Sequence, residues 1–224
     1  MINTYLEYLQ KEHSFEDLFI HNTFFYEKIV RSGPENTAND WYRKHFKQDF
    51  QKFNFTLVPI NLDQNHWLVV LVDFKQKAMY CLDSLRSSHE NQQRIHHLLS
   101  TFYQFRGYYE TSWSLVTSAV PQQNNGYDCG VLFAKLILAK NHDFIQGLRQ
   151  KKDMSSLFGH DLVNDKRKQL YQWFTDYLQQ SSSQIRVPTQ ILVKYFTINQ
   201  SLNISQDEQK LSPLFDELKN DSPL

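Results

Sequence analysis

The segment Leu68-Val69-Val70-Leu71-Val72 is apolar at every position and β-branched at three of its five residues. A run this short and this branched fits a strand better than a helix, and apolar side chains of both parities bury both faces of that strand. The chain must therefore build a sheet that is covered on both sides. Its neighbours agree. Phe55 to Ile60, His66 to Phe74 and Ala78 to Leu82 read as successive strands, with Lys75-Gln76-Lys77 turning the last two into a hairpin. Helical spacing marks Ile2, Tyr5, Leu6 and Leu9, an aromatic stretch from Phe15 to Val30, and Trp41, His45 and Phe46 beyond the loop-forming Ser32-Gly33-Pro34-Glu35-Asn36.

Further helices are expected from Ser88 to about Phe105, from Cys129 onward, and from Asp161 to Gln180, with one more strand from Trp113 to Val120. The class is α+β, a central mixed sheet flanked by helices. A domain over residues 1–180 is expected, with Ser181-Ser182-Ser183 as a linker to an extension over 181–224 that is assigned no role; within it Gln190 to Phe196 reads as a strand and 201–224, with five acids and two bases, as a flexible tail. Hydrophobic residues at 41%, aromatics at 15%, supply the mass for a real core.

Charge narrows the partners. With 24 basic and 24 acidic residues there is no basic surplus to neutralise a phosphate backbone, so nucleic acid is not the expected partner. Val131 to Ala139 is nine residues long and interrupted by Lys135, too short for a membrane span. The first residues lack the basic and apolar regions of a secretory signal, and two cysteines make no disulfide framework. The expectation is a monomer in a reducing compartment, nucleus or cytoplasm.

Two of only six glycines, Gly126 and Gly130, bracket Cys129. A cysteine that opens a helix feels the positive end of the macrodipole and unpaired backbone N–H groups, both of which favour thiolate. The preceding Asn124-Asn125-Gly126-Tyr127-Asp128 tolerates unusual backbone angles, and Gly130 leaves room for a substrate backbone. Cys81, inside a strand with no glycine near it, reads as core.

A thiolate nucleophile needs a base and a group that orients the base. His66 heads the buried strand and Asp83 ends the next one, so an antiparallel pairing brings them to one end of the sheet. Gln123 offers a side-chain amide for a developing oxyanion. The remaining histidines show no ligand spacing with cysteine or carboxylate, so neither a metal nor another cofactor is expected. Arg149-Gln150-Lys151-Lys152 reads as a solvated loop.

His66-Trp67, Asp83-Ser84-Leu85 and Pro121-Gln122-Gln123-Asn124-Asn125-Gly126-Tyr127-Asp128-Cys129-Gly130, in this order and spacing, resemble the Ulp/SENP family of SUMO-specific cysteine proteases. Ile2-Asn3-Thr4-Tyr5-Leu6, Asn22 to Lys28, Trp41 and Val58-Pro59-Ile60-Asn61 are similar to further family landmarks, so the likeness spans about residues 1–180. It implies a papain-like fold, a His66, Asp83 and Cys129 triad, Gln123 in the oxyanion hole, and Trp67 over the Gly-Gly tail of SUMO or another ubiquitin-like protein and its conjugates. Family members also carry Trp-Leu-Asn-Asp ahead of the first helix. That motif is absent from these residues, so the domain is expected to be cut at its N-terminal edge, to use another aromatic, or to bind substrate more weakly. Three alternatives share the residues: a NEDD8- or ubiquitin-directed protease, a Cys-dependent acetyltransferase, and a non-catalytic modifier-binding protein.

Overall fold

The computed structural model describes residues 2–12, 17–45, 50–63, 65–109, 112–126, 128–130 and 142–156, with separate positions between 165 and 176. The chain divides into two compact units, residues 1–169 and 170–224, and every strand of the sheet falls in the first.

Five strands form one mixed sheet in sequential order, β1 (Leu18–Ile20), β2 (Phe55–Leu62), β3 (His66–Asp73), β4 (Ala78–Leu82) and β5 (Ser114–Thr117). The two central pairings are antiparallel hairpins and the outer two are parallel. β3 is buried at every position but Trp67, as its doubly apolar sequence requires. Pro59 sits inside β2 without breaking the ladder. Leu57 turns its carbonyl to the β1 side, where it accepts the His21 N–H at 2.9 Å. Two residues on, the Pro59 nitrogen faces that same side beyond the last β1 pairing, so no hydrogen bond is lost.

Helices Ile2–Glu12, Phe24–Ser32 and His89–Phe105 match the expected segments. Ser88 caps the third through its hydroxyl, which accepts the Asn91 N–H at 3.2 Å. Gly33, at φ 81°, ends the second, its N–H on the Ile29 carbonyl at 2.9 Å. Residues 34–45 form a helical run that starts at Pro34, so the expected loop there is confined to the Gly33 junction. Two other expectations change. Leu18, Phe19 and Ile20 lie in a strand and not in a helix, because β2 offers them a ladder through Phe55, Thr56 and Leu57. Arg149 closes a helix, His142–Arg149, and its Nε donates to the fully buried Asp73 Oδ2 at 2.7 Å; it is not part of a solvated loop.

The core between sheet and helices is aromatic, with Phe25, Tyr42, Phe50, Phe102 and Tyr103 in mutual edge-to-face contact. Cys81 belongs to it, and burial pushes its thiol up to about 12. Most of the Asp161 to Gln180 segment, all of 181–224 and the apolar Val131 to Ala139 lie outside the described residues. No described helix is long and apolar enough to cross a membrane.

Candidate active site

Three element ends meet at one rim of the sheet. His66 opens β3, Asp83 follows the last residue of β4, and Cys129 and Gly130 are the described start of a helix. In the β3 to β4 register Val69 pairs with Leu82. One step further sets Asp83 opposite Leu68, two residues from His66 and on its face of the sheet. The hydrogen bond this permits joins His66 Nε2 to Asp83 Oδ1 at 2.6 Å, both side chains buried.

Asp83 accepts more than the imidazole. Its Oδ1 also takes the Leu85 N–H at 2.9 Å, while Oδ2 takes the Ser87 N–H at 2.6 Å and the Ser87 hydroxyl. Burial alone would raise this carboxyl, but the His66 and Ser87 side chains and the two backbone donors bring it down to about 2. An ionised Asp83 can only accept, so Nε2 of His66 carries a proton and Nδ1 is left to face the thiol.

His66 Nδ1 is buried and makes no hydrogen bond of ordinary geometry; the group it interacts with is Cys129. Burial of the ring opposes its charge, yet the Asp83 hydrogen bond, the Cys129 contact and the two negative charges raise its pKa to about 9. Cys129 shifts the opposite way. Burial raises the thiol, but His66 and the backbone N–H groups of Trp67 and Gly130 outweigh it and lower the pKa. The pair is thus set to exchange one proton, giving thiolate and imidazolium. The Trp67 main-chain donor had no signature in the sequence; for the Ser87 hydroxyl the Asp-Ser-Leu-Arg-Ser run, an Asx-turn pattern, was the available hint.

Gln123 lies on the approach to Cys129. Its Oε1 accepts the Ser84 hydroxyl at 2.7 Å, its Nε2 donates to the Asn125 carbonyl at 2.6 Å, and its N–H donates to the Ser84 carbonyl at 3.0 Å. Asn125 in turn clamps Asp128, accepting its N–H at 3.0 Å and donating to its carboxylate at 2.7 Å. Gly130 leaves room as expected, whereas Gly126 adopts no unusual backbone angle. Left-handed φ values occur at Gly33 and Gly107, not at Gly126 or Gly130. A Cβ on either of the latter would meet no atom within 4 Å, so both stand beside open space, Gly130 directly after the nucleophile in the chain. Trp67, half-buried, follows His66 and pairs with Asn61 across the hairpin. Among the described residues no three His, Cys, Asp or Glu side chains stand close enough to hold a metal ion.

Comparison with known proteins identifies the fold and the family. Ubiquitin-like-specific protease 1 of Saccharomyces cerevisiae is 26% identical over 173 residues, covering 73% of this chain and 27% of the yeast protein. Human Sentrin-specific protease 2 is 29% identical over 150 residues, 60% of this chain and 24% of the human one. The chain therefore matches about a quarter of the length of these curated relatives. Among solved structures, the SUMO protease Ulp1 with its catalytic cysteine oxidised to a sulfonic acid superposes with a TM-score of 0.57 at 25% identity, over 74% of this chain and 71% of that one. The fold is that of the papain-like Ulp1 protease domain. The model of the Ulp1 protease family's C-terminal catalytic domain matches residues 1–168, three quarters of the sequence, and the chain belongs to this family of cysteine proteases.

Proposed function

We propose that the protein is a thiol isopeptidase that cleaves after the C-terminal Gly-Gly of a ubiquitin-like modifier, with SUMO as the preferred modifier. The observation that carries this reading is the His66 ring, bonded through Nε2 to Asp83 at 2.6 Å and coupled on its other side to Cys129. The SUMO assignment draws on relatives named as SUMO or Sentrin proteases.

In the proposed reaction the Cys129 thiolate attacks the last glycine's carbonyl. The electron pair of that C=O moves to oxygen, where the Gln123 amide donates to it. As the intermediate collapses, imidazolium His66 gives its proton to the departing lysine amine and a thioester remains. Neutral His66 then takes a proton from water, hydroxide adds to the thioester, and the carboxylate leaves with the thiolate restored. Trp67 is assigned to the glycine tail, for which a narrow aromatic slot selects by excluding any residue with a Cβ. The reacting domain is taken as residues 1–180, and the need for a reduced thiol supports a nuclear or cytoplasmic site.

The test presents SUMO, NEDD8 and ubiquitin, each carrying a C-terminal electrophile, to the full chain. Covalent labelling of the native protein, strongest with SUMO and lost in Cys129→Ala, is expected. Labelling that survives Cys129→Ala, or no labelling by any of the three, overturns the protease reading; a preference for NEDD8 or ubiquitin overturns the SUMO assignment alone.

A further inference from the structure

Ser84 holds Gln123 by both its main chain and its side chain. It is buried, donates its hydroxyl to Gln123 Oε1 at 2.7 Å, and accepts the Gln123 N–H on its carbonyl at 3.0 Å. A carboxamide has two ends of nearly equal size and opposite polarity, so its neighbours decide which way it points. The Asn125 carbonyl can only accept, and at 2.6 Å it requires Nε2 on its side. The Ser84 hydroxyl gives the oxygen end its donor. Between them the amide plane is fixed, and of the two Nε2 hydrogens one goes to Asn125 while the other remains to be offered elsewhere. Without the hydroxyl, Oε1 loses its donor at a half-buried position and the plane is free to turn about its last torsion.

The place of Ser84 in the chain adds to this. It directly follows Asp83, whose carbonyl accepts from Gln122 Nε2 at 3.0 Å. The strand exit that carries the carboxylate of the triad is thus laced to the segment that carries the amide, residue by residue. We propose that Ser84 is a positioning residue that presets the Gln123 carboxamide for the oxyanion, an inference that rests on the role given to Gln123 above. In this role Ser84 acts through Gln123, which it holds by its hydroxyl and its carbonyl.

The experiment is a double-mutant cycle on the full chain with Ser84→Ala, Gln123→Ala and both together. The substrates are SUMO, NEDD8 and ubiquitin carrying a C-terminal aminocoumarin amide. Ser84→Ala is expected to lower kcat by roughly 3- to 10-fold, the value of one neutral hydrogen bond, with KM changed by less than about two-fold. The loss should vanish when Gln123 is already Ala. The pH dependence of Cys129 alkylation by iodoacetamide should stay native, because that reaction builds no oxyanion and the thiolate pair is untouched. An unchanged kcat, an equal loss in the Gln123→Ala background, or a displaced alkylation profile overturns the proposal. Side-chain NH2 resonances of Gln123 give an arm that needs no turnover. Two resolved, slowly exchanging protons in the native protein that collapse or exchange rapidly in Ser84→Ala support the anchor, and identical spectra overturn it. Absence of turnover by the native chain on all three substrates sinks the protease reading, and the resonances then decide the role of Ser84 separately.

Discussion

The imidazole of His66 is the residue on which the candidate site turns, because its two nitrogens answer to different groups. Asp83, satisfied by four donors and held near a pKa of about 2, stays ionised throughout the working pH range and keeps Nε2 protonated. Asparagine at 83 would keep much of the shape but lose the charge. The His66 pKa, raised to about 9 with Asp83 present, should then fall toward its ordinary 6.5. Turnover at pH 7 is expected to drop by roughly 100-fold, and the alkaline limb of the Cys129 alkylation profile should move to lower pH. Ser87→Ala removes one donor and leaves the Leu85 and Ser87 N–H groups in place, so its alkaline limb should remain near that of the native protein. An Asp83→Asn profile that coincides with the native one would remove Asp83 from the triad. His66, Asp83 and Cys129 were all legible in the sequence because each stands where an element begins or ends, and such ends are marked by changes of period. The Trp67 N–H was not, since a main-chain donor leaves no side-chain trace.

At the scale of elements, the sheet was legible wherever its strands carried their own burial pattern. β2, β3 and β4 do, each buried over five consecutive residues or more. β1 does not, because three residues are too few to display a period and its reason for being a strand lies at Phe55 to Leu57, far along the chain. Arg149 escaped for a similar cause. Beside two lysines it looks like surface, and only the docking of helix His142–Arg149 puts its guanidinium against Asp73, 76 positions away, and over the Phe55 ring at 5.3 Å. That contact ties the helix to the far end of β3, away from the rim that holds His66. Arg149→Ala leaves a fully buried carboxylate with, among the described residues, the Gln76 N–H as its remaining partner, and should cost roughly 2 to 4 kcal/mol in urea unfolding. The paired change Asp73→Asn with Arg149→Met removes charge from both sides and should recover most of it. Labelling of Cys129 per folded molecule should be native in both, because the contact lies at the opposite end of the strand. A loss below about 0.5 kcal/mol in the single variant would mean that Asp73 finds water instead.

At the scale of the molecule, the two histidines buried among the described residues both contribute to the dependence of stability on pH, and they do so unequally. Taken alone, the raised pKa of His66 gives stability that is full below 6.5 and lost as pH rises through about 9. The lowered pKa of Cys129 works in reverse, its contribution full above the ordinary 9.0 and lost as pH falls through the folded value. Between 6.5 and 9 the two slopes oppose each other, because moving a proton from thiol to imidazole leaves the number bound unchanged. Asp83 acts only in strong acid, losing its contribution as pH falls from 3.8 through about 2. His21 shifts the other way from His66. Its ring is fully buried and stacked on Phe25 at 3.8 Å, with Phe19 and Tyr42 at its edges, and burial drives its pKa well below 6.5. The unfolded chain therefore binds a proton there that the folded one refuses, and below pH 6.5 this alone costs up to about 1.4 kcal/mol for each pH unit. Phenylalanine fits a ring-lined site of this kind and cannot titrate. His21→Phe should flatten the fall in unfolding free energy between pH 6.5 and 5 and leave the slope between 7 and 9 as it is in the native protein. Urea unfolding at pH 5, 6, 7 and 8 reads this directly. An acid slope as steep in His21→Phe as in the native protein would assign the protons to groups outside the aromatic core.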